Sequence, residues 1–106
     1  MHVHMEGETN PNAYLERFTL NPADIAFNTI PIAERTLMAG FTTVRDIGGF
    51  DVNISLRNAI NKGQVKGPRI FTAGKAIGTT GGHADPRNGY RKDLMGRPRP
   101  FRRCSE

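Results

Sequence analysis

Twice in this chain a stretch with helical periodicity runs into a glycine and is followed by a short β-prone run. Asn21-Pro22-Ala23-Asp24 opens the first. Asn21 suits a cap, Pro22 the first turn, and Asp24 the positive end of the helix dipole. Ile25, Ala26, Thr29, Ile30, Ala33 and Leu37 then recur at a rough 3.6-residue spacing, and Gly40 offers a left-handed stop. Pro31 lacks an N–H and crowds the preceding turn, so the sequence predicts a kink there, or two helical pieces. Phe41-Thr42-Thr43-Val44-Arg45 follows as a strand that ends at Asp46 and Gly48-Gly49. The second helix is expected from Val52 to about Lys62. Asp51 would be its cap, Leu56, Ala59 and Ile60 its buried stripe, and Gly63 its stop. Gly67-Pro68 then turns the chain into a second strand, Arg69-Ile70-Phe71-Thr72-Ala73. A shorter helix is expected earlier, from Asn12 to Phe18.

Strands alternating with helices imply an α/β chain with a parallel sheet. In such sheets functional groups gather at the carboxyl ends of the strands. His2, His4, Arg45, Asp46 and the segment after Ala73 all fall at such ends. After Gly74 the regular pattern stops, and the remainder is rich in Gly, Pro and Arg. A long structureless run in a small domain reads either as an active-site loop or as an irregular end.

The paired histidines carry the most chemistry. In His2-Val3-His4 the two imidazoles are two residues apart, so on a strand they share a face. Neutral imidazole is a common zinc ligand, but a catalytic zinc usually takes three protein ligands and an open position. The alternative is a frayed polar terminus.

Composition narrows the remaining classes. The chain has 106 residues, enough for one domain, and its 12 glycines and 7 prolines make it loop-rich. It contains no apolar stretch long enough to span a membrane and shows no basic-then-apolar leader, which leaves localisation open. A lone cysteine, Cys104, permits no internal disulfide. The net charge is +5, and Arg97, Arg99, Arg102 and Arg103 against Glu106 place most of it in the last ten residues. A nearly balanced body argues against a whole-domain nucleic-acid surface. A rival reading remains, in which a small basic module binds nucleic acid or another partner through Arg97 to Arg103. A steep salt dependence would mark it.

Four motifs in order point further: His2-Val3-His4, then Ala39-Gly40-Phe41-Thr42-Thr43-Val44-Arg45-Asp46-Ile47-Gly48-Gly49, then Gly67-Pro68-Arg69-Ile70, then Thr80-Gly81-Gly82-His83. Over residues 1–96 this series resembles the amidohydrolase superfamily, in the branch of imidazolonepropionase-like hydrolases and Xaa-Pro dipeptidases (prolidase-like). The resemblance implies a (β/α)8 TIM barrel holding one or two divalent metal ions, usually zinc. It makes His2 and His4 metal ligands and implies hydrolysis of an amide or peptide bond in a small substrate such as a dipeptide. In the family a lysine, two further histidines and an aspartate from later strands complete the site, and these have no counterparts in this sequence. A full barrel takes about 250 residues, so the chain reads as the first three βα units of one, followed by an irregular tail. The rest of the metal site, and hence activity, would lie outside it.

The resemblance also offers roles for other residues. His83 would touch substrate or metal from the loop after the third strand, or else be an ordinary loop histidine. Thr79-Thr80-Gly81-Gly82 would turn backbone N–H groups toward a carboxylate or oxyanion, or be a flexible turn. Arg45 would hold a substrate carboxylate and Asp46 would orient a histidine, a structural ion pair or turn cap being the other reading of both. Glu6 and Glu8 read as solvated, as do Arg87, Arg91 and Lys92. Residues 97–106 do not look like the family at this point and read as a disordered, frameshifted or artificial end. Open edges in an unfinished sheet would favour self-association.

Overall fold

The computed structural model describes residues 1–6, 10–85, 87–91 and 102–103. Its elements run β1 (His2–Val3), α1 (Ala13–Thr19), α2 (Pro22–Met38), β2 (Thr43–Asp46), α3 (Val52–Asn61), β3 (Arg69–Thr72), β4 (Ile77–Gly78) and β5 (Arg102–Arg103). β1, β2 and β3 form a parallel sheet in that order, and β4 pairs with β5 separately. The expected α/β alternation is therefore present, with helical crossovers joining parallel neighbours.

Both long helices end by the same device. Gly40, at a φ of 100°, donates to Leu37 O while Phe41 donates to Thr36 O. Gly63, at 75°, donates to Ile60 O while Gln64 donates to Ala59 O. These are Schellman closures, and the left-handed residue that each needs is a glycine. At its start α2 carries the capping box between Asn21 and Asp24, with Pro22 in the first turn.

Pro31 does not divide the segment into two helical pieces: α2 is one helix from Pro22 to Met38. Pro31 is exposed, whereas Thr29 and Ala33 are buried on the packed side. The pyrrolidine ring thus sits on the solvent side, where the lost hydrogen bond is tolerated because packing holds the opposite stripe.

The sheet has one covered and one open face. Met5, Ala33, Val44, Leu56 and Ile70 form the buried core, with Val3, Ile32, Ile60 and Val65 packed against it. Val44 faces Ile70 across β2 and β3, and both lie under the helices. Between the helices the chain returns through Gly67, where a Cβ would come within 2.6 Å of Ile60 and 3.1 Å of Ala33. The opposite face stays open: Thr43, Arg45, Arg69 and Phe71 are exposed. No described helix is long and apolar enough to cross a membrane. Glu8, Lys92, Arg97, Arg99 and Cys104 lie outside the described residues, as does most of the 97–106 tail. Arg102–Arg103 pairs in parallel with Ile77–Gly78.

Candidate metal centre

The strand register puts the first histidine on the open face. His2 is the Cα partner of Arg45, which in turn partners Phe71, so the three form a row across the sheet. All three are exposed, and the neighbouring row, Val3, Asp46 and Thr72, points toward the helices. His4 follows two residues later on the same side. The two imidazole centroids lie 4.7 Å apart, with the rings tilted by 56°.

The end of β1 is stitched to the turn after β2 by two carboxylates. Asp46, almost fully buried, accepts the Met5 N–H on Oδ2 at 3.0 Å and the Gly48 N–H on Oδ1 at 3.1 Å. Glu6 accepts the Phe50 N–H at 2.7 Å and the Asn53 N–H at 2.9 Å. It therefore caps α3 from outside the helix, a role expected of Asp51. Asp51 occupies the N-cap position with a φ of 77°, makes no side-chain cap bond, and pairs instead with Lys75 at 3.4 Å. Glu6 is thus half-buried rather than solvated. Burial pushes its carboxyl above the ordinary value, against the pull of the Asn53 and Phe50 N–H groups, and the charge of Asp46 adds to the rise.

Two adjacent glycines make this close approach possible. A Cβ on Gly48 would lie 2.5 Å from His4 Nδ1 and 2.8 Å from Cε1, so the ring rests on the bare Cα. Gly49 has a φ of 101°, and a Cβ there would meet the Glu6 carboxylate at 2.7 Å. The Gly48 carbonyl accepts from Asn53 Nδ2 at 2.6 Å, and Asn53 is fully buried. Neither Glu6 nor Asn53 stands out in the sequence as part of this region. The Gly48-Gly49 pair was the only local signal of a tight approach.

His83 is exposed in a loop that Asp85 organises. Asp85 accepts the Gly81 N–H at 2.9 Å and the Arg87 N–H at 3.0 Å, and its carboxylate pairs with the Arg87 guanidinium at 3.0 Å. Asn88 adds bonds to the Gly81 and Gly82 carbonyls. The Arg87 guanidinium and the Gly81 N–H hold the Asp85 carboxyl far below the usual carboxylate range. This corrects two expectations. Arg87 is a partnered loop residue rather than a wet one. The N–H groups of Gly81 and Gly82 are spent within the loop, on Asp85 and on Thr79 O, so they do not form an oxyanion cradle.

The structure therefore brings His2 and His4 together, sets Arg45 in the same row as His2, and buries Asp46 against backbone N–H groups. Two adjacent exposed imidazoles suit zinc or a similar divalent ion as donors. The nearby carboxylates of Asp46 and Glu6 are already occupied by backbone. Among the described residues no group of three or more His, Cys, Asp or Glu could hold an ion. The donor pair fits as part of a metal site.

Comparison with known proteins finds relatives by sequence and by fold. No protein-family model matches the chain. Ochratoxinase of Aspergillus niger is 29% identical over 85 residues, covering 79% of this chain and 17% of that protein. The crystal structure of a Xaa-Pro dipeptidase with methionine bound in its active site is 46% identical, with a TM-score of 0.74 over 92% of this chain and 24% of that one. A prolidase complexed with N-methylphosphonate-L-proline is 44% identical, with a TM-score of 0.63 over 77% of this chain and 19% of that one. By sequence and fold the chain is similar to amidohydrolases, a Xaa-Pro dipeptidase and a prolidase among them. It spans about a quarter or less of the length of each of these relatives.

Proposed function

We propose that these residues form part of a metal-dependent amidohydrolase that cleaves amide or peptide bonds in small substrates such as dipeptides. The observation that carries this reading is the pair of imidazoles lying side by side on the open sheet face, next to the carboxyl end of β2. In a complete (β/α)8 barrel that open face would line the interior. His2 and His4 would hold a divalent ion, zinc by preference, with further ligands from other strands. When bound, such an ion supplies Lewis acidity and a nucleophilic water at neutral pH.

The chain's own residues have separable tasks in this reading. Arg45, exposed in the His2 row, would orient a substrate carboxylate. His83, presented by the Asp85 loop, would touch the substrate from the side. Asp46 would act through backbone, fixing the segment that follows His4. The division into a barrel part, 1–96, and an Arg/Pro-rich tail, 97–106, belongs to the same proposal. So does self-association: β1 and β3 each pair only with β2 among the described residues, and Phe71 is 60% exposed.

Assays of the purified chain with Xaa-Pro dipeptides and added zinc test this reading. Two donors do not complete a catalytic site, so the chain by itself is expected to release no product, and zinc-dependent hydrolysis would refute that. Replacing His2 or His4 by Ala should abolish zinc uptake in equilibrium dialysis. Unchanged uptake would remove the basis of the assignment.

A further inference from the structure

We propose that Gly48 is the seat of the His4 imidazole, and that Asp46, Asn53 and Glu6 are positioning residues that hold this seat and so set the metal affinity of the histidine pair. The functional half rests on the metal reading above, whereas the seat itself stands on geometry alone.

The Gly48 peptide is locked on both sides. Its N–H is held by Asp46 Oδ1 and its carbonyl by Asn53 Nδ2. Asp46 also holds, on Oδ2, the N–H of Met5, the residue directly after His4. One buried carboxylate therefore fixes both the backbone that carries the ring and the peptide beneath it. Glu6 closes the circuit two residues after His4 by gripping Phe50 and Asn53.

Among the described residues His2 has no comparable support, for it sits beside exposed Arg45 on the open face. The pair is thus asymmetric, with His4 placed in advance and His2 freer. A ligand whose orientation is already fixed loses less freedom on binding, and outer partners of this kind typically set affinity by about 10–100-fold.

Proton NMR of the whole 106-residue chain tests the seat directly. Cross-relaxation between the His4 ring protons and the Gly48 α-protons is expected in the wild type, and its absence overturns the proposal. Gly48→Ala places a methyl where the ring lies. It should displace the His4 ring resonances, leave those of His2 unchanged, and weaken zinc binding about 10-fold or more. His4 signals and zinc affinity equal to wild type would overturn the assignment.

Glu6→Gln keeps the shape but loses one acceptor, so it serves if the alanine variant does not fold. It should weaken zinc binding several-fold and shift only His4. A lower Tm with His4 and zinc affinity unchanged would make Glu6 a structural cap and overturn its positioning role. A wild-type chain with the Gly48 contact but no zinc at either histidine would overturn the affinity claim and the metal reading together, while the seat would survive.

Discussion

Glu6 caps a helix that begins 46 residues after it in the chain. Its carboxylate meets N–H groups that α3 cannot satisfy internally, and removing a side-chain cap typically costs about 0.5–2 kcal/mol. Glu6→Ala should therefore lower the stability of the chain by about 1–2 kcal/mol in urea titration, with the loss of protection concentrated in the first turn of α3. No local pattern announces this pairing. Asp51 precedes the helix and is a favoured cap type, but its left-handed backbone and its bond to Lys75 turn its side chain to another task. Asp85 carries the second residue-scale prediction. Its folded pKa is depressed from 3.8, so the stability it gives the loop is present above that value and lost as pH falls further. The Gly81 and Arg87 amide resonances should stay fixed from pH 7 down to about pH 4 and move only below it. Movement between pH 5 and 7 would contradict this origin of the loop's order.

At the scale of elements the helices and strands were largely readable, because each begins and ends on a strong local signal. The asparagine–proline start of α2 and the glycine stops at Gly40 and Gly63 act within a few residues of themselves. That the helix runs on through Pro31 was harder to read, for the complementary reason. Its cost is local, but the packing of Thr29 and Ala33 that offsets it comes from the rest of the fold. Pro31→Ala restores a backbone donor in mid-helix and should raise stability by about 1–3 kcal/mol, less whatever chain entropy proline removed from the unfolded state. Thermal unfolding monitored by circular dichroism would show the gain, and a loss would mean that the ring is itself packed. The network around Gly48 lay beyond sequence reading because it joins β1, the turn after β2 and the start of α3. Only the glycine pair hinted at close approach there.

For the molecule as a whole, three parallel strands with helices on one side leave the other side bearing His2, His4, Arg45 and Phe71. In the proposed reading that face would be the inner wall of a barrel, and the histidine pair would need further ligands from other strands to hold an ion. That the two imidazoles lie on one side was legible from their spacing, whereas their place beside Arg45 came from the sheet register. The most direct test is a zinc titration of the 106-residue chain followed by the imidazole nitrogen resonances of all three histidines. His2 and His4 should shift together and saturate at one ion per chain, with His83 unaffected. If neither shifts, if one shifts without the other, or if His83 takes the ion instead, the two imidazoles do not form a shared site and the hydrolase reading loses its footing.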